Sequence, residues 1–218
     1  MPTEQLTRQE FNAHVENGTF RLAFVGMSNA GKSFRSKVLQ KEMGFLWYHV
    51  DEEIQKALKV SAVEDLSHWL GYPASPGYAK RERQYLELED RFTKSASMQT
   101  GGKNFVFDTT GSVVHLPEGT RRTLRENCLV VHLDVGEESI ADMVERFFKN
   151  PKPVAWNGYF SKAAGESEYS AFRRCYPVLL QDRLRRYRIL AHVNVPAREF
   201  RETSGLETLR VIRDRLIA

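Results

Sequence analysis

Residues 21 to 33, Arg-Leu-Ala-Phe-Val-Gly-Met-Ser-Asn-Ala-Gly-Lys-Ser, constrain this chain more than any other stretch. An apolar run enters a loop bracketed by Gly26 and Gly31, and a helix-forming segment leaves it. The spacing G-x-x-x-x-G-K-[ST] therefore sits in the strand-loop-helix context that a phosphate-binding loop requires. Lacking a Cβ, Gly26 and Gly31 let the backbone turn sharply and aim successive N–H groups, including those of Ser28, Asn29 and Ala30, at phosphate oxygens. The N-terminus of the following helix adds unpaired donors and a partial positive charge. Lys32 is placed to reach the outer phosphates, and the Ser33 hydroxyl to ligate magnesium.

A strand delivered into a helix is one unit of an alternating α/β chain, and the remaining sequence keeps the alternation. Further strands are expected at 45–50 (buried), 104–108, 128–135 and 191–196, with helices at about 33–43, 51–58, 62–70, 78–98, 117–127, 137–149, 168–190 and near the C-terminus. Five strands separated by helices imply a parallel sheet covered on both faces, a three-layer α/β/α architecture. Residues 1–19 read as a lead-in helix, capped by Thr7 and Glu10, on a single domain spanning 20–218. Residues 150–160 are too proline-rich for a helix and too long for a tight turn, so a lid is expected at about 150–167.

Two strands end in carboxylates. Asp51 follows the strand at 45–50 and opens a helix, at the sheet edge where ligands bind in open α/β folds. Asp108 ends the apolar run Asn104-Phe-Val-Phe, where a carboxylate can hold magnesium beside the loop.

The net charge of +4 suits polyanionic small ligands as well as nucleic acid, and basic residues alternate with acidic ones except around 183–188. A small-molecule partner is thus expected before nucleic acid. No apolar stretch reaches the roughly 18 residues of a membrane span, and the polar start points to the cytoplasm. Cys128 and Cys175, far apart, are expected to be reduced structural thiols.

Together these residues resemble the shikimate kinase group of phosphate-loop small-molecule kinases, within the nucleoside-monophosphate-kinase-like P-loop NTPase fold, over about residues 20–218. His49-Val-Asp51-Glu-Glu-Ile54 is similar to the family's Asp-x-Asp-x-x-Ile, and Asp108-Thr-Thr-Gly111 stands where the family has its glycine-rich substrate loop. Lys152-Pro153 resembles the lid's Arg-Pro, and Arg183-Leu-Arg-Arg-Tyr187 resembles the stretch whose arginine binds a substrate carboxylate.

The resemblance implies ATP and Mg2+ as cofactors and transfer of the γ-phosphoryl group to a hydroxyl of a small, anionic metabolite. Lys32, Asp51 and Lys152 take the catalytic roles, Asp51 orienting or deprotonating the acceptor hydroxyl. Arg146 joins the loop on the nucleotide side, and Ser33 and Asp108 hold the metal. Arg183, Arg81 or Arg83, Thr109, Thr110 and Gly111 bind the acceptor. His49 departs from the family's first aspartate, and Thr109 and Thr110 replace two glycines, narrowing the pocket or adding hydroxyl donors. Rival readings are a nucleoside or nucleotide kinase, a nucleotide-binding regulatory module without metabolite phosphorylation, and a basic-helix nucleic-acid binder.

Overall fold

The computed structural model describes residues 6–99 and 101–218, so the first five residues of the lead-in lie outside the described residues. The chain runs α1 (Arg8–Glu16), β1 (Arg21–Val25), α2 (Lys32–Met43), β2 (Leu46–His49), α3 (Val50–Leu58), α4 (Val63–Leu70) and α5 (Tyr78–Ser97). It continues through β3 (Phe105–Asp108), α6 (Glu118–Asn127), β4 (Leu129–Asp134), α7 (Ile140–Lys149), α8 (Glu168–Leu190), β5 (Val193–Pro196) and α9 (Gly205–Arg213).

The strands form one sheet in the order β2-β3-β1-β4-β5, with every pairing parallel. The most apolar strands take its centre: Leu22, Ala23, Phe24 and Val25 are all fully buried. Alternate side chains face opposite layers. Leu22, Phe24, Val106, Val131 and Leu133 pack with Leu39, Leu209 and Ile212 of α2 and α9. Ala23, Val25, Phe107 and Val130 pack with Tyr85, Leu124, Leu179 and Leu184 of α5, α6 and α8. This is the expected three-layer α/β/α arrangement.

Three details differ from or refine the sequence reading. β2 is an edge strand rather than a buried one, paired only with β3, and Leu46 is 47% exposed. Helix α8 runs unbroken through Pro177. Helix α1 carries the predicted capping box and is held against the far end of the chain, where the Arg8 side chain donates to the carbonyls of Leu216 and Asp214. Phe11 packs edge-on against Phe20, 4.7 Å between ring centroids.

Register positions the site. Asp108 is level with Phe24 on one side and His49 on the other. The carboxyl ends of β1, β2 and β3 therefore open at one edge, and the 26–31 loop, Asp51 and Asp108 gather there.

Candidate active site

The loop after β1 has the backbone its glycines were expected to permit. Gly26 has φ +142°, and a Cβ there would lie 2.9 Å from the Leu133 carbonyl oxygen. Asn29 also adopts a left-handed conformation. Lys32, only 8% exposed, folds over the loop and donates to the carbonyls of Gly26 (2.8 Å) and Met27 (3.0 Å). Burial pulls its pKa down, while the charges of Asp51 and Asp108 push the other way.

Asp108, 1% exposed, is surrounded by donors. Ser33 Oγ donates to Oδ2 (2.5 Å), Trp47 Nε1 donates to Oδ1, and His49 Nε2 lies 3.1 Å from Oδ2. Burial opposes its charge, but the donors outweigh burial and hold its pKa below the ordinary value. The reciprocal effect falls on His49. Burial disfavours its cation, yet Asp108 and Glu52 push its pKa up to about 9. An imidazole whose cation Asp108 favours thus stands beside Ser33 and Asp108. Trp47 was not singled out in the sequence, and His49 only as a departure from the family's first aspartate; their signal was position, two alternate residues at the end of the strand before Asp51.

Asp51 lies in the first turn of α3, half-buried, and accepts a long hydrogen bond (3.4 Å) from the Tyr85 hydroxyl. Burial raises its pKa against the opposing charges of His49 and Lys32. A carboxylate of raised basicity therefore shares its surroundings with Lys32 and Asp108.

The structure does not bring Arg81 or Arg83 to this group. Arg81 donates to the carbonyls of Leu70 (3.0 Å) and Pro76 (3.1 Å), tying α4 to the 71–77 turn, and Arg83 is exposed. Helical geometry turns a different set inward: Tyr78, Glu82, Tyr85 and Glu89, at spacings of three and four. Glu89 is fully buried. The substrate-loop threonines also point elsewhere than into an open pocket. Thr109 donates to the Phe24 carbonyl (3.1 Å), and the Thr110 hydroxyl donates to Glu89. Arg183 does reach the loop: it is 5% exposed, and a Cβ on Gly111 would meet its Nη1 at 3.5 Å. Its Nη2 donates to the Ala155 carbonyl (2.6 Å), and its buried Nε has no partner among the described residues.

Within the expected lid, Lys152 Nζ donates to Asn29 Oδ1 (2.7 Å), joining this segment to the phosphate loop. The next residues form a wall. Val154, Ala155 and Trp156 are buried, with Trp156 among the rings of Phe147, Phe160, Phe172 and Tyr176. Glu82 accepts from the backbone N–H of Trp156 and Asn157 (2.9 Å for Asn157). A cleft of about 1060 Å³ lies on the other side, lined by Ser28, Asn29, Ala30, Gly31, Arg146 and Lys152 among others.

The basic run on α8 is largely spent internally. Arg185 and Arg186 pair with Asp182, and Arg188 with Asp134 and Glu137. Little of it is left to meet a phosphate backbone, which needs several unpaired cations on one face. Cys128 and Cys175 are free and buried.

A family model for shikimate kinase matches residues 28–186, well over half of the chain. The chain belongs to the shikimate kinase family. Its fold is similar to that of shikimate kinase from Acinetobacter baumannii in complex with shikimate, at 17% identity, covering 92% of this chain and 93% of that one with a TM-score of 0.59. Shikimate kinase from Bacteroides thetaiotaomicron is similar at 15% identity, covering 89% and 97%, with a TM-score of 0.59. No curated protein matches the chain. As a member of the shikimate kinase family, the protein is a P-loop small-molecule kinase with a hydroxyl group as acceptor. Among the described residues, no helix is long and apolar enough to cross a membrane.

Proposed function

We propose that this kinase transfers the γ-phosphoryl group of ATP to a hydroxyl of a small metabolite carrying a single anionic group. The observation that carries the reading is that Ser33, the residue after Lys32, donates to Asp108 Oδ2 (2.5 Å), while His49, two residues before Asp51, lies 3.1 Å from the same oxygen, so the phosphate loop and both strand-end carboxylates share one site. Phosphoryl transfer asks little covalent chemistry of a protein; positioning and charge neutralisation supply most of the rate.

In this reading the N–H groups of Ser28 to Gly31 and the ammonium of Lys32 hold the β and γ phosphates, Lys32 exchanging its two loop carbonyls for phosphate oxygens. Ser33 Oγ and Asp108 Oδ2, hard oxygens hydrogen-bonded to each other at 2.5 Å, are of the kind magnesium takes and would hold the ion once that hydrogen bond is given up; the ion would neutralise phosphate charge. Asp51 accepts the proton of the acceptor hydroxyl, and its burial makes it a stronger base than an exposed aspartate. Arg183, whose Nη1 lies beside Gly111 and whose Nε has no partner among the described residues, meets the acceptor's anionic group. The single anionic group follows from α5, whose inward positions carry Tyr78, Glu82, Tyr85 and Glu89 and no cation. Lys152 and Arg146 neutralise charge from the lid side.

The test is a mass-spectrometric screen of hydroxylated acids, sugars and nucleosides for ATP-dependent phosphorylation, run with variants. Lys32→Ala is expected to abolish nucleotide binding. Asp51→Asn is expected to lower kcat by about 100-fold or more with ATP affinity unchanged. Full turnover by Asp51→Asn would remove the base assignment, and tight ATP binding without any product would favour a regulatory nucleotide-binding role.

A further inference from the structure

We infer that Glu89 is a positioning residue that sets the acceptor loop, residues 108–112, against Arg183 and the phosphate loop. The inference rests on the reading of that loop as the acceptor side.

The residues form a closed hydrogen-bonded ring. Ser112 Oγ donates to Glu89 Oε2 (2.6 Å), Thr110 Oγ1 donates to Glu89 Oε1, and the Ser112 N–H donates to Thr110 Oγ1 (3.2 Å). Glu89, Thr110 and Ser112 are all buried. A carboxylate with no solvent contact has these two hydroxyls as its hydrogen-bond donors, so carboxylate and loop depend on each other.

A second helix holds the same loop from the opposite side. The Tyr187 hydroxyl of α8 donates to the Gly111 carbonyl. The space at Gly111 is confined by Arg183 Nη1 at 3.5 Å, Ser28 Oγ at 3.6 Å and the Tyr187 hydroxyl at 3.8 Å from where a Cβ would stand. The loop tip is thus wedged between the phosphate loop and the acceptor arginine, and its seat decides the distance between them. A loop of glycines would have no side chains to be fixed in this way. Thr110 and Ser112 provide them, and Glu89 is the group on α5 that receives both.

The charged and titratable groups bearing on Glu89 are Asp51 of α3, Tyr85 of α5, and Arg183 and Tyr187 of α8. Burial, more than any of these, moves its pKa up to about 7. The hydrogen-bonded ring does not depend on that value, because hydroxyls can reverse donor and acceptor roles. For the same reason an amide can replace the carboxylate: Glu89→Gln keeps one acceptor and gains donors, whereas Glu89→Ala takes away the group on α5 that both hydroxyls bond to.

The test uses the full chain and three variants: Glu89→Ala, Glu89→Gln, and the double change Thr110→Val with Ser112→Ala, which cuts the ring from the loop side. Hydrogen exchange of peptides covering 108–116 reads the loop, binding of a fluorescent ATP analogue reads the donor side, and phosphorylation of shikimate, used as the probe acceptor, reads transfer. Glu89→Ala and the double variant are expected to speed exchange in 108–116 by about tenfold or more, with the analogue's Kd unchanged. Both are also expected to raise the acceptor KM by about tenfold with kcat little altered. Glu89→Gln restores both properties. Wild-type loop protection in Glu89→Ala and the double variant overturns the inference, as does a loss of nucleotide affinity equal to the loss of acceptor affinity. If Glu89→Ala does not fold, the double variant, which retains the carboxylate, decides. Failure of the wild type to phosphorylate shikimate counts against that acceptor and leaves the ring to be judged by exchange alone.

Discussion

Raising the pH from about 6.5 to about 9.5 is expected to weaken the fold through one residue, His49, in a window where few other groups titrate. The imidazole sits at the end of β2 with Nε2 3.1 Å from Asp108 Oδ2 and Nδ1 3.1 Å from Glu52 Oε1. Burial disfavours the cation, but the hydrogen bond and charge of Asp108 prevail, and the pKa rises from 6.5 to about 9. Because the folded-state value is the higher one, the stabilisation is fully present below pH 6.5 and is lost as the pH climbs through 9. The His49 side chain is 20% exposed, so little of this interaction is screened by solvent. At about 1.4 kcal/mol per pH unit between the two values, the loss amounts to about 3 kcal/mol. Urea unfolding at a series of pH values, in the presence of a chelator, measures it. His49→Gln keeps an amide donor near Asp108 but cannot titrate, so its stability should change much less over the same range. Glu89 also titrates near neutrality, but it does so in both proteins and cancels in the difference. Equal pH slopes in wild type and His49→Gln would refute the argument.

Trp156→Ala removes a fully buried ring from an aromatic cluster and should cost about 3–5 kcal/mol in chemical denaturation, with acceptor affinity falling alongside. Arg81→Ala should cost about 1–3 kcal/mol by loosening the 71–77 turn while leaving acceptor KM unaltered; a large KM effect would return Arg81 to the acceptor site. Gly26→Ala places a methyl 2.9 Å from the Leu133 carbonyl at a φ that alanine avoids, so nucleotide affinity should be lost even where the variant folds.

What sequence could reveal followed the range of the interactions involved. The phosphate loop was legible because its parts are contiguous: glycines, lysine, serine and the helix start depend on one local backbone path. Asp51 and Asp108 were legible because a parallel sheet brings the carboxyl ends of its strands to one edge, so a strand ending in aspartate carries its own location. The order of helices and strands was equally readable, each from its own hydrophobic pattern.

The face of α5 was not legible. Adjacent residues on a helix differ by about 100° in direction, so Arg81, Glu82 and Arg83 point three ways, and only the tertiary partners of α5 decide that Glu82 meets the backbone of Trp156 and Asn157 and that Glu89 is buried against the 110–112 loop. The wall at 154–156 was hidden for a similar reason: a proline-rich stretch has no periodicity of its own, and Trp156 is buried by rings of α7, of α8 and of its own loop that only the fold brings together. By itself, then, the sequence determined the phosphate loop and the placement of the strand-end carboxylates, where position follows from local backbone geometry and strand direction. Tertiary structure decided which side chains of α5 and of the 154–156 wall complete the site, because which of many charged side chains is desolvated and paired depends on what folds against it.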